Sequence, residues 1–398
     1  MSRAESLKAA CVRGAMHRIQ TILIGTLACG ITSSAAFAGG DSGESGGAQP
    51  DPALRLELEL EDPTSLAEPA TPTVRQPDPT LRLPDGSSSD GGDSYQLSAQ
   101  LEDGSVLLAR ILITNAGPGD HNAIATGLWI EADGTTHNFD NVRRNDEWQL
   151  AADRKRFDIG STHLDLSGEY ARYWITKKRI QLDIQLPLTA GVALPDDFQL
   201  PGANAELLAT LVPVVGTIRL RAWDAPREIR GTANFVHAWS KSAAIGAARR
   251  IAASATRNGE SLLILQTQTL AGESRAFVVH RSPEAGLRTL EDAEASAQGQ
   301  LPGDRPEGYP TPSKLVLGGP AAQGRIELGE VLFERDALSS FPAPLRSLMG
   351  FALKTRPLRV WARASIDVTM RSVSGGTPSR FQGEGTAAIA FSDTFSGR

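Results

Sequence analysis

Cysteine is nearly absent from this chain: among 398 residues only Cys11 and Cys29 carry a thiol, and both lie near the amino terminus. If that segment is removed, the product has no disulfide, no thiolate nucleophile and no Cys-based metal site. From residue 94 onward there is also no Gly-x-Ser-x-Gly elbow, no phosphate loop and no dinucleotide fingerprint. His121, His137, His163 and His280 lack the close pairing of metal motifs. No cofactor and no metal are therefore expected. Clustered positive charge is lacking too, since residues 94–398 hold 33 acidic and 33 basic side chains. A neutral body argues against nucleic acid as a partner, because phosphate binding rests on grouped Lys and Arg. Helical signals are few, and no apolar run is long enough to span a bilayer as a helix.

At the amino terminus, Arg3, Lys8, Arg13 and Arg18 precede the apolar run Ile22 to Ala28 and the small-residue end Ala36-Phe37-Ala38-Gly39. A basic region, a short apolar core and an Ala-x-Ala-like end mark residues 1–38 as a secretory signal, for which Met16 offers a more typical start. The product is expected in the periplasm or outside the cell. An alternative, a lipoprotein signal ending at Cys29, would fix it to a membrane by a lipid.

Residues 39–93 follow with 12 acidic and 3 basic side chains, a net of 3 − 12 = −9. Rich in Gly, Pro and Ser, they read as a disordered acidic linker. Inside it, Gln49-Pro50-Asp51-Pro52-Ala53-Leu54-Arg55-Leu56 returns as Gln76-Pro77-Asp78-Pro79-Thr80-Leu81-Arg82-Leu83. The repeat reads either as a duplicated docking peptide for a protein partner or as drift in an unconstrained linker. Gly40-Asp41-Ser42-Gly43 imitates a protease nucleophile motif without a scaffold to orient a base.

Period two dominates from Tyr95 onward. Tyr95, Leu97, Ala99 and Leu101 alternate with polar residues up to the turn Asp103-Gly104, which leads into the apolar run Val106 to Ile113. Ile180, Leu182, Ile184 and Leu186 share one face of a second stretch. Leu358, Val360, Ala362, Ala364, Ile366, Val368 and Met370 share one face of the longest. Strands of that length call for curvature or closure. Ser242 to Thr256 reads as a short Ala-rich helix or, with Asn258-Gly259, as a hairpin. Leu338 to Leu353 is the better helix candidate, and Gly303 to Ser313, with three prolines, is a long loop that is expected to border a binding site.

The order strand, Asp103-Gly104, strand ending Ile113-Thr114-Asn115-Ala116, Leu128-Trp129-Ile130, Asp133-Gly134 and Glu147-Trp148 resembles the lipocalin-like superfamily that includes carotenoid 1,2-hydratases (hydroxyneurosporene synthases) and survival-factor-type proteins. The most specific likeness lies in Gly231-Thr232-Ala233-Asn234-Phe235-Val236-His237-Ala238-Trp239-Ser240, where Gly231, His237 and Trp239 fall on matching positions of a hydratase-type segment. Asn234 stands at its tyrosine position and Val236 at its aspartate position. The resemblance implies an all-β fold of two tandem lipocalin-like (calycin) antiparallel β-barrels, over residues 94–212 and 213–398, with a boundary near Leu207 to Gly216.

On a strand, Phe235, His237 and Trp239 point to one face and Val236 and Ala238 to the other. The first three are either an apolar ligand wall with one polar handle or a hydrogen-bonded core histidine beside structural aromatics. Three functions follow as expectations. The first is an exported carrier of a hydrophobic small molecule, a lipid or isoprenoid, bound by Phe235, His237 and Trp239. The second is a hydratase-like lyase adding water to an isoprenoid double bond with His237 and Trp239 as catalytic residues; with Val236 in place of a carboxylate, its acid would come from elsewhere, Asp224 and Glu228 being near in sequence. The third is an outer-membrane barrel, against which stand the charge-rich folded region, the sparse aromatics and a carboxyl end lacking a terminal aromatic.

Overall fold

A computed structural model of the chain describes residues 78–83, 91–115, 120–177, 180–188, 191–195, 198, 203–221, 223–240, 247–269, 272–303, 309–336, 358–371 and 378–391. The expected secretory signal, the first copy of the repeat and the helix candidate Leu338 to Leu353 lie outside the described residues.

The expected all-β architecture of two tandem antiparallel barrel-like sheets is what the structure shows. The first sheet has twelve strands. They are β1 (Gly92–Leu101), β2 (Val106–Thr114), β3 (Asn122–Ile130), β4 (Thr136–Arg143), β5 (Gln149–Leu150), β6 (Arg156–Ile159), β7 (Thr162–Asp165), β8 (Tyr170–Thr176), β9 (Gln181–Pro187), β10 (Val192–Ala193), β11 (Ala203–Arg219) and β12 (Arg227–Ser240). Their order is β4-β3-β2-β1-β12-β11-β9-β8-β7-β6-β5, with β10 beside β11. The end strand β4 is joined by side chains to strands near the other end of the sheet: Asn141 of β4 donates to Thr162 Oγ1 of β7 at 2.7 Å and to Ser161 Oγ at 3.1 Å. Curling of this kind turns one face into an interior, filled by Leu97, Ile111, Trp129, Phe157, Tyr173, Leu182 and Ile184.

The second sheet is a closed barrel of β13 (Ala247–Arg257), β14 (Glu260–Thr269), β15 (Ser274–Ser282), β16 (Gly286–Gln298), β17 (Lys314–Gly318), β18 (Ala322–Asp336), β19 (Leu358–Met370) and β20 (Ser379–Phe391). Eight strands leave an interior just wide enough for side chains to fill. All seven alternating apolar residues of β19, Leu358 through Met370, are buried in it. Its outside carries charges, among them the two-point pair of Arg380 with Asp367 at 2.8 Å. An apolar interior under a charged exterior is the inverse of an outer-membrane barrel. Among the described residues no helix is long and apolar enough to cross a membrane.

Several expectations are refined. The segment 242–256 resolves, over its described part, as a strand: Asn258 (φ 52°) and Gly259 (φ 80°) form the tight turn between β13 and β14. The boundary expected near Leu207 to Gly216 falls inside β11, whose neighbours β9, β10 and β12 all belong to the first sheet; the change of sheet lies between Ser240 and Ala247. The Val-Pro-Val-Val-Gly run there is a strand segment, with Val212 and Val214 in the core. Of the loop at 303–313, no described residue lines the cavity between the two sheets. Tyr309 instead enters the closed barrel and meets Phe391 edge-on at 5.5 Å.

Residues 78–83, expected in the disordered linker, are packed into the first sheet. Leu81 is fully buried in its core, and the Leu81 N–H donates to Arg154 O at 3.1 Å. Asp93, expected at the end of the linker, is part of β1.

Gly231, one of the positions of likeness, has a backbone reason. A Cβ there would lie 2.0 Å from Gln100 O and 2.8 Å from Leu101 Cα on the neighbouring β1. Gly231→Ala is therefore expected to lower stability by about 2 kcal/mol. Gly318→Ala, with nothing within 4 Å of its added carbon, should be near neutral. Chemical-denaturation midpoints of the two variants check this.

Candidate functional site

The expected face of β12 forms as predicted by alternation. Phe235, His237 and Trp239 turn into the first sheet, and the ladder with β1 sets Leu97 opposite Phe235, Tyr95 opposite His237 and Asp93 opposite Trp239. The Tyr95 ring lies parallel to the His237 ring, 4.5 Å between centroids and 5° between planes. Trp239 meets the same imidazole at 4.9 Å.

Two carboxylates that sequence reasoning missed complete this cluster. His237 donates from Nε2 to Asp93 Oδ1 at 2.8 Å and from Nδ1 to Glu206 Oε1 at 3.3 Å. His237 and Asp93 are both fully buried. Asp93 lies 144 residues away on β1, so no local motif announces it. The one sequence signal is its place two residues before Tyr95, on the same face of the strand. Glu228, near in sequence, does not join this cluster: it is exposed and pairs with Arg230 at 3.7 Å.

Burial opposes charge on His237, but the hydrogen bonds to Asp93 and Glu206, with the charges of both, outweigh it and raise the imidazolium pKa to about 9. Burial, joined by the Asp93 charge, pushes the Tyr95 phenol well above its usual range. The Tyr95 hydroxyl donates to Pro79 O at 2.8 Å.

The segment 78–83 covers this cluster. The Arg82 N–H donates to Asp93 Oδ2 at 2.6 Å, and the Arg82 guanidinium stacks 3.7 Å over the Trp239 ring. Asn234, at the tyrosine position of the resembled motif, faces the other way. Its Oδ1 accepts the Leu211 N–H at 2.9 Å where β11 bulges and Leu211 takes φ 52°. That contact accounts for an amide side chain there.

Open space lies on the opposite face of β12. A cavity of about 280 Å³ sits between the two sheets, bounded by Val236 and Ala238 of β12, Leu108 and Leu112 of β2, Leu128 of β3, Leu265 of β14, Phe333 of β18 and Trp361 of β19. Phe235 and His237 do not reach it; Trp239 does, at its rim. Arg110, Arg250, Arg335 and Arg359 also line it, and among the described lining residues there is no carboxylate. Burial, then the neighbouring Arg359, lowers the Arg250 pKa to about 10, which leaves it charged at neutral pH. Two apolar contacts flank the cavity, one of Leu194 and Leu207 with Leu263 and Phe277, the other of Val106, Leu128 and Ile130 with Trp361. Gln100 Nε2 ties the sheets together by donating to Ser254 O at 2.8 Å and to Thr386 Oγ1 at 2.7 Å.

Two other histidines pair with nearby carboxylates. His137 pairs with Glu131 at 2.7 Å and His163 with Asp158 at 2.6 Å. No group of three or more His, Cys, Asp or Glu side chains that could hold a metal occurs among the described residues.

A group whose folded pKa is raised, here from 6.5 to about 9, contributes stability that is complete below pH 6.5 and is lost as pH rises through 9. Wild-type stability is expected to fall by on the order of 3 kcal/mol across that window from this group alone. His237→Gln should flatten that part of the curve, as measured by urea unfolding at successive pH values.

No family model matches the chain, and no curated relative matches by sequence. Solved structures do. An AttH-type protein of Nitrosomonas europaea is 13% identical, with 79% of this chain and 97% of that one covered at a TM-score of 0.53. Kievitone hydratase of Nectria haematococca is 13% identical over 82% and 97%, with a TM-score of 0.50. CghA in complex with Sch210972 is 10% identical over 80% and 95%, with a TM-score of 0.51. At such identities the likeness is one of fold: this chain is built on the same arrangement of two antiparallel β-sheets as these three proteins.

Proposed function

We propose that this protein binds a hydrophobic small molecule, a lipid or isoprenoid bearing an anionic group, in the cavity between its two sheets. The observation that carries this reading is the cavity itself: about 280 Å³, lined by leucine, phenylalanine and tryptophan side chains together with four arginines. Ligand pockets are mostly apolar with a few polar groups that fix orientation, and about 300 Å³ is the lower end of their usual size. Apolar walls gain about 25 cal/mol for each Å² of ligand surface removed from water. A buried guanidinium such as Arg250 is best compensated by a carboxylate or phosphate brought by the ligand. The binding site on this reading is therefore the outer face of β12, with Trp239 as the one residue shared with the inner cluster. Export by the amino-terminal segment would make the protein a carrier outside the cytoplasm.

The hydratase reading has less support. Protonating an alkene carbon needs a strong acid, and an imidazolium whose pKa is raised to about 9 is a weak one. His237 is moreover fully buried beneath residues 78–83.

Organic extraction of natively purified protein followed by mass spectrometry is expected to recover an acidic lipid. Ala252→Trp, which fills the cavity from the barrel side, should reduce that recovery several-fold. Arg250→Gln should weaken binding of a fluorescent long-chain fatty acid about tenfold and leave binding of its methyl ester unchanged. Wild-type protein that repeatedly yields no lipid would sink the proposal.

A further inference from the structure

The interior of the first sheet holds a peptide of the chain itself, and the sequence carries a second version of that peptide. Residues 49–56 and 76–83 differ at one position in eight. The described part of the second copy is held by contacts of four kinds. Leu81 is wholly buried, and its N–H bonds Arg154 O. Pro79 O accepts the Tyr95 hydroxyl. The Arg82 N–H reaches Asp93, and the Arg82 guanidinium covers Trp239. Asp78 pairs with Arg82 at 3.8 Å.

Every group in these contacts recurs in the first copy, as Asp51, Pro52, Leu54 and Arg55. The single difference, Ala53 for Thr80, spares the backbone bond there, since it is the Thr80 N–H that donates to Asp78 Oδ1 at 3.0 Å. Only the Thr80 hydroxyl contact with Asp78 would be lost. A single exposed hydrogen bond corresponds to roughly a two- to tenfold difference in affinity.

We propose that the interior of the first sheet is a docking site for the sequence Asp-Pro-x-Leu-Arg-Leu, and that residues 49–56 are its second occupant, exchanging with 76–83 within one molecule. Exchange within the molecule follows from tethering: the two copies begin 27 residues apart in one chain, and a tethered segment competes at an effective concentration on the order of millimolar. With one chamber and two matching segments, one segment is always displaced. The docked copy decides whether residues 84–91 or residues 57–91 lie between the chamber and β1. This inference stands on the repeat and the inner cluster and does not depend on a ligand in the outer cavity.

The test uses full-length protein and fluorescent octapeptides of residues 49–56 and 76–83, read by anisotropy. A Leu54→Asp/Leu81→Asp double variant, with both internal segments disabled, is expected to bind both octapeptides, the 76–83 sequence two- to tenfold more tightly. Leu81→Asp alone should bind either at least tenfold more weakly than the double variant does, because the intact first copy fills the chamber. An Arg55→Glu/Arg82→Glu pair, which keeps the leucines but places a carboxylate beside Asp93, should behave as the Leu double variant does and guards against misfolding of the latter. The proposal is overturned if 76–83 binds but 49–56 does not, if Leu81→Asp alone binds as well as the double variant, or if neither double variant binds either octapeptide.

Discussion

The ladder between β1 and β12 is the constraint on which both candidate sites rest. It joins strands more than a hundred residues apart, and its register is fixed where Gly231 lets β12 approach the backbone of Gln100 and Leu101. A one-residue slip would carry every side chain of the pair to the opposite face. On the inner face the register sets Tyr95 against His237 and brings Asp93 to the imidazole. On the outer face the same strands present Ser94, Gln96, Val236 and Ala238 to the cavity between the sheets. Inner cluster and outer cavity are thus two sides of one pairing.

The two faces have opposite physical character. Inside, the polar cluster is satisfied by other parts of the chain: His237 by two carboxylates, Asp93 by His237 and the Arg82 N–H, Tyr95 by Pro79. Outside, apolar walls and four arginines meet across an open seam. A filled interior with a hydrogen-bonded polar cluster rigidifies a sheet. A partly open apolar seam between two sheets is where a small molecule finds area to bury.

Much of this fold is legible from alternation alone. Period two along residues 358–370 predicts an inward apolar face, and all seven alternating apolar residues of that face are buried; Asp103-Gly104 predicts a hairpin, and Gly104 sits at φ 82° between β1 and β2. What could not be read is what depends on distant pairing. The acidic, proline-rich composition around residue 80 says nothing of Leu81, because its stabilisation comes from a pocket assembled by strands yet to be synthesised. Asp93 looks like one more acid of the linker until β1 is laid beside β12. The outer cavity has no local signature, since its lining residues are the outward-facing positions of two sheets. These positions read as solvent-facing until the sheets stack. The likeness around His237 directs attention to the inward side chains of β12, whereas the open volume is on the side of Val236 and Ala238.

Burying His237 with Asp93 is costly unless both ends are fully satisfied, since each ion forfeits its hydration. Glu206 supplies the second acceptor to the ring, and Arg82 supplies, through its backbone, a donor to the far oxygen of Asp93. The docked segment is therefore part of the electrostatics of the cluster as well as a cover over it. Removing that segment would leave one oxygen of the buried Asp93 carboxylate without its donor and would expose the ion pair to water, so the seated segment completes the hydrogen bonding on which burial of the pair depends.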